Sequence, residues 1–166
     1  MTDRATRRLV AALAILGLAV AGYITYAHFA DVSITCTSGG CEAVQASRYS
    51  ELAGIPVSVL GIAAYAFILG TAFFTSELAR AAGAAVAVAS ALFAGYLVYV
   101  QMAIIDAVCD WCLASDVLIA VIALACVERL RVGIVRQSRS EIRSDTDARH
   151  FPETTQWGRT HTGGAP

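Results

Sequence analysis

Cys109 and Cys112 enclose two residues in the stretch CDWC, and Cys36 and Cys41 bound CTSGGC farther up the chain. Two cysteines three apart in the first turn of a helix point to one face. A helix N-terminus presents free N–H groups and a partial positive charge. That setting favours thiolate, the nucleophile of disulfide exchange. Asp106 and Asp110 act in the other direction. Redox traffic is the first reading. A zinc site is a second, with Cys36 and Cys41 as its other half, although C-x4-C is loose for zinc. Two inert structural disulfides are a third. Cys126 lies fourteen residues beyond Cys112, roughly 21 Å along a helix. It is too far to exchange and reads as a small buried hydrophobe.

The elements that must position these thiols are apolar. The chain has 166 residues, 57% hydrophobic and 15% charged, against roughly 25% charged in soluble domains. A chain of this size cannot hide so much apolar surface from water. Its net charge of −1 argues against a nucleic-acid role. Four apolar runs are each near the ~20 residues that a bilayer-spanning helix needs. Backbone groups in hydrocarbon must bond within the segment, so the runs are expected to be helices. The expectation is an all-α integral membrane protein, a four-helix bundle with spans at about 9–29, 57–75, 81–107 and 108–127. Residues 9–128 are expected to form one domain that holds the four spans. The first run is longer than a signal-peptide core and lacks a clean cleavage site, so it reads as a span.

The connections differ in length. Residues 76–80 and 106–110 are tight turns, whereas 30–56 is a long outer loop, a lid expected to contain a short helix within 42–52. Pro56 suits the first turn of the second span. Residues 1–8 form a short N-terminal segment, and 129–166 a polar, mostly disordered tail. Arg4, Arg7, Arg8, Arg80, Arg129, Arg131, Arg136, Arg139 and Arg143 all fall on one side of four spans. Arg48 alone falls on the other, with Asp31, Glu42, Glu51, Asp106 and Asp110. The positive-inside rule then places both termini in the cytoplasm and the cysteine loops outside the cell (inner) membrane. Four of the five cysteines fall where disulfides persist. Electrons leaving a disulfide there need an acceptor. The sequence carries no haem, flavin or metal-cluster motif, and a lipid-soluble quinone is the acceptor that needs no further domain.

With those pieces in order, the chain resembles the vitamin K epoxide reductase family, its bacterial members in particular. The matching stretches are CTSGGCEAVQASRYSELAGIPVSVLG and CDWCLAS, with Cys41, Val44, Ser47, Arg48 and Tyr49 fitting a Cys–Val–x–x–Ser–Arg–aromatic run. The disulfide-bond-B type of membrane protein also has four spans, but carries its C-x-x-C in the first outer loop, the reverse order. The resemblance implies a quinone-dependent thiol:disulfide oxidoreductase that supports disulfide-bond formation. It implies that Cys36 meets a separate extracytoplasmic thioredoxin-like, disulfide-bond-A-like partner. Cys41 would pass electrons to Cys109, and Cys112 would stand beside a quinone of the menaquinone, ubiquinone or vitamin K type. The competing expectation is a membrane binding protein whose cysteines are structural or hold zinc.

Other residues are candidates for quinone contact. Asp116 is four beyond Cys112 and seven beyond Cys109, on their face one turn deeper. An ionisable residue there is costly unless used. It either serves a quinone oxygen, as a hydrogen-bond donor or proton source, or is a water-exposed carboxylate near the interface, or one paired with Arg48. Vertebrate members of the resembled family have Tyr at this place. Ser47 and Arg48 match family positions near the site. Ser58 either caps the second span or touches the quinone. Tyr96 and Tyr99, with Gln101 near, either line a ring pocket or belong to an aromatic belt. His28 is either an interfacial residue or a proton donor. Trp111 is expected to shield the C-x-x-C disulfide.

Overall fold

The computed structural model describes the backbone of residues 3–30 and 32–150. Its long helices are α1 (Asp3–Ala30), α3 (Val57–Phe73), α4 (Glu77–Val100) and α5 (Asp110–His150). A five-residue helix, α2 (Cys41–Gln45), and a two-stranded hairpin, β1 (Glu51–Leu52) with β2 (Ile55–Pro56), occupy the loop between α1 and α3. By length and composition Arg4–Ala30 and Glu77–Ile105 can each cross a membrane, and Val57–Phe73 is a shorter apolar helix. The chain divides into two compact units, 1–130 and 131–166. The first carries both cysteine pairs.

Inside that unit the helices meet through small side chains. Val10, Ala14 and Ala21 of α1 share one buried cluster with Tyr65, Ile68 and Ala72 of α3. Ala84, Ala87 and Ala94 of α4 and Ile119, Ile122 and Ala123 of α5 complete it. Small residues let helix backbones approach closely, which is how helices associate where no water drives them together. Gly17 is the sharpest case, since a Cβ there would run into the ring of Tyr65. Large apolar side chains instead point outward, among them Leu92 and Leu124. An apolar exterior over a small-residue interior fits a lipid solvent.

The ends of these helices are closed by specific bonds. Arg7 donates from Nε to Ala72 O at 2.9 Å and from Nη2 to Phe73 O at 3.1 Å. These carbonyls end α3 and have no partner within the helix. Ser76 caps α4, its Oγ accepting the Ala79 N–H at 3.3 Å. At its other end α4 widens into a π-turn, Gln101–Ile105, and the chain then reverses through Asp106 at φ 55°. Gln101 O accepts the Ala107 N–H at 3.1 Å. Such π-turns concentrate at functional sites.

The structure departs from the sequence expectations in several places. Helix α1 starts at Asp3, inside the expected 1–8 segment, and α4 starts at Glu77, inside the expected 76–80 turn. The loop helix is shorter than 42–52 and begins at Cys41, and a hairpin follows it. The two hairpin-turn residues, Ala53 and Gly54, both have positive φ, 52° and 80°, as a type I′ turn requires. Helix α3 stops at Phe73 rather than 75, because the chain turns extended at Phe74. The polar segment after 128, expected to be disordered, is helical to His150; residues 151–166 lie outside the described part. No proline interrupts 110–151. The hydroxyls of Ser140, Ser144 and Thr146 also bond back to carbonyls of their own helix.

Candidate active site

Cys109 begins α5. The backbone O of Cys109 accepts the Leu113 N–H at 2.9 Å, and its Sγ accepts the Cys112 N–H at 3.3 Å, the place a capping oxygen takes in other helices. From the other side, Oε1 of buried Gln101 accepts the Cys109 N–H at 2.9 Å. The π-turn therefore positions the C-x-x-C twice over, through Gln101 O and through the Gln101 side chain. The structure pairs Cys109 with Cys112, and Cys36 with Cys41. Cys126 is free and buried among apolar residues.

The lid brings the second pair to the first. Cys41 and Cys109, both at 0% exposure, share one buried cluster with Ala27, Ile34 and Val44. Cys36 and Cys112 pack at its edge and are partly exposed. The inner member of each pair thus faces the other pair. Polar bonds tie the lid down: Thr37 and Ser38 donate their N–H groups to Asp110 Oδ2 at 2.8 and 3.0 Å. Asp110 is the first residue of α5 and is partly exposed. Trp111 Nε1 donates to Thr35 O at 3.1 Å, and the Trp111 ring packs 4.8 Å from that of Tyr23.

Below the mouth lies a cavity of about 180 Å³. Cys112, Gln101, Ser115 and Asp116 line it from the α4–α5 side, Ser58 and Tyr65 from α3, and Ser47 and Tyr49 from the lid. Tyr65 is anchored to α5, its hydroxyl donating to Ser115 O at 2.8 Å and lying 3.0 Å from Ser115 Oγ. Asp116 Oδ2 is buried without a hydrogen-bond partner. A sulfur and an unsatisfied carboxylate oxygen on largely apolar walls suit a mostly apolar ligand with a few polar atoms.

Residues 8–127 match the Vitamin K epoxide reductase family. The chain belongs to that family. The match spans both cysteine pairs and every residue that lines the cavity. It makes the chain a membrane protein of an oxidoreductase family whose chemistry runs through cysteine thiols.

Against this site the sequence candidates divide. Asp116, Ser58 and Ser47 line the cavity, and so does His28, whose Nε2 lies 3.9 Å from Glu51 Oε1. Ser58 makes no capping bond, because α3 starts from Pro56. Tyr96 and Tyr99 do not line the cavity; they are 49% and 61% exposed, on the outer side of α4. The cavity face of α4 carries Phe93, Ala94, Leu97 and Gln101 instead, at helical spacing. Arg48 is exposed too, stacked 5.0 Å over the Tyr49 ring, and is not the partner of Asp116. Sequence reasoning missed Tyr65 and Ser115. A lone tyrosine in mid-run, flanked only by apolar residues, was the available signal for Tyr65.

Proposed function

We propose that the protein is a quinone-linked thiol oxidase that re-oxidises a separate extracytoplasmic thioredoxin-like partner and so supports disulfide-bond formation. The observation that carries this reading is the arrangement of the four sulfurs, a buried pair between two partly exposed ones. Cys36 is partly open to the outside, Cys41 and Cys109 are buried together, and Cys112 borders the cavity. That is the order in which electrons would pass.

In this reading a partner thiolate attacks Cys36, and Cys41 leaves as thiolate. The partner's second thiol then releases Cys36 and closes the partner's own disulfide. Cys41 attacks Cys109, and Cys112 leaves as thiolate at the cavity. Cys36 next attacks Cys41, restoring the lid disulfide and leaving Cys109 and Cys112 reduced. A bound quinone supplies the sink for two electrons and two protons, and the Cys109–Cys112 bond re-forms. Exchange of this kind runs downhill in potential, about 30 mV for each 1.4 kcal/mol in a two-electron couple.

The residues present fit such a group. Asp116 Oδ2 lacks a partner at the cavity wall, and a proton held there would make it a donor to a ring oxygen. Ser58 offers a hydroxyl from α3, and the Tyr65 ring, its hydroxyl already bonded to Ser115, forms part of the same wall. The four long helices are read as four spans of the cell (inner) membrane, with both termini cytoplasmic and the lid outside. The two apolar helices, the short apolar α3 and the one-sided arginines support this. The zinc alternative needs four free thiolates, and both pairs stand as disulfides.

Purified protein in lipid, given a dithiol substrate, is expected to consume thiols only when a quinone is supplied. Mass spectrometry of the non-reduced protein should show Cys109 and Cys112 becoming reduced when quinone is withheld. Thiol consumption that ignores quinone, or a C-x-x-C that stays oxidised throughout, defeats the proposal. Asp116→Leu should slow quinone reduction more than Asp116→Asn, which keeps a donor.

A further inference from the structure

The segment between Ile34 and Cys41 is laced to the start of α5 at four points. Thr35 O accepts from Trp111 Nε1 at 3.1 Å. Thr37 and Ser38 give their N–H groups to one oxygen of Asp110. Ser38 Oγ donates to Val108 O at 2.6 Å. Gly40 lies so close that a Cβ there would stand 2.5 Å from Val108 O and 2.6 Å from Val108 N. The residue before Cys41 thus rests on the residue before Cys109.

None of these contacts uses a sulfur, so all can persist when the Cys36–Cys41 bond opens. That is when they are needed. A closed disulfide shapes the 36–41 loop, and its reduction frees six residues that include two glycines. Cys41 must nevertheless remain at Cys109 to attack it. Small misplacements cost heavily in such a step. Cys36 lies between the bonded residues Thr35 and Thr37 and remains partly exposed.

We propose that Asp110, inside the C-x-x-C, is a positioning residue whose carboxylate latches the lid and keeps Cys41 at Cys109 after the lid disulfide has been reduced. The inference rests on the relay reading above. It assigns to Asp110 the internal transfer between the pairs and not the encounter with the partner. Reduction of Cys36 from outside therefore proceeds without the latch, whereas passage from Cys41 to Cys109 requires it.

The test uses the full chain in lipid with dithiothreitol as the outside reductant and quinone present, and follows each pair by thiol labelling and mass spectrometry. In the wild type both pairs turn over. In Asp110→Ala the lid pair is expected to reduce at least as fast, while transfer to Cys109 slows on the order of 10- to 100-fold. Reduced Cys36 and Cys41 then accumulate against an oxidised Cys109–Cys112. Gly40→Ala, which pushes the lid off Val108, should give the same accumulation by an independent route. Asp110→Asn should stay within a few-fold of wild type, since its amide oxygen can still accept both N–H groups. If Asn behaves as Ala, the charge and not the bonding matters, and the latch is rejected. It is also rejected if Asp110→Ala and Gly40→Ala both transfer at the wild-type rate. A wild type that never passes electrons between the pairs would sink the relay itself, a different result from either.

Discussion

Between the long helices of the first unit, contact is made by alanines interleaved with a few larger side chains, Val10, Ile68, Ile119 and Ile122 among them, and the ring of Tyr65 fills the gap left at Gly17. At the mouth of the cavity the lid is held by four hydrogen bonds that span about seventy positions of sequence, from Thr35, Thr37 and Ser38 to Val108, Asp110 and Trp111. Close packing among small residues has one solution and resists change. Exposed polar bonds are individually weak and reversible. The rigid part therefore borders the cavity, and the adjustable part carries the disulfide that must open and close. The single cysteine in the packed region, Cys126, has no partner sulfur, while the four at the mouth are paired.

The largest expected effect separates these two groups of sulfurs. Cys112→Ser should abolish quinone-dependent thiol oxidation while the lid pair still accepts electrons from a dithiol. Cys126→Ala should leave turnover at the wild-type level, because its neighbours are apolar core residues. Activity measured with and without quinone checks both. Residual turnover in Cys112→Ser would break the division between mouth and cage.

Next in size is a change in the cage alone. Gly17→Ala puts a methyl group where the Tyr65 ring lies. Tyr65 is 2% exposed and tied to Ser115, so its ring has little freedom to retreat. Overpacking of this kind typically costs about 1–3 kcal/mol. Thermal unfolding of the protein in lipid should register that loss, with lid reduction by an outside dithiol unaffected. An unchanged midpoint would mean that the helices give way more readily than their packing implies.

What was legible in the sequence follows the same division. The apolar runs and the order of the cysteine pairs are one-dimensional signals, and each run overlaps for most of its length with a long helix whose bounds differ from those of the run. Helix α5 ran past its expected end because hydropathy falls after Val127, and hydropathy says nothing about whether a lysine-free, arginine- and serine-rich stretch stays helical. The hairpin was missed because Ala-Gly is a far weaker turn signal than Asn-Gly. Asp110 was read only as a charge opposing thiolate formation. Its bonds to Thr37 and Ser38 join positions 73 and 72 residues apart, and no local pattern carries such a pairing.

Tyr96 and Tyr99 show the same limit at the scale of one helix turn, and they carry the smallest prediction. Spacing established that α4 has faces, but not which face meets the cavity. Phe93, Ala94, Leu97 and Gln101 occupy that face, and the two tyrosines project away from it. Tyr65 is the tyrosine that belongs to the cavity wall, and its hydroxyl holds α3 to α5 at Ser115. Tyr65→Phe should therefore lower stability by about 1 kcal/mol and weaken quinone use, read as a raised KM for quinone. Tyr96→Phe and Tyr99→Phe remove hydroxyls that face outward, and should leave both the KM and the unfolding midpoint at wild-type values. A KM that moved with Tyr96 or Tyr99 and not with Tyr65 would put the ring site on the outer side of α4 and sever it from Cys112.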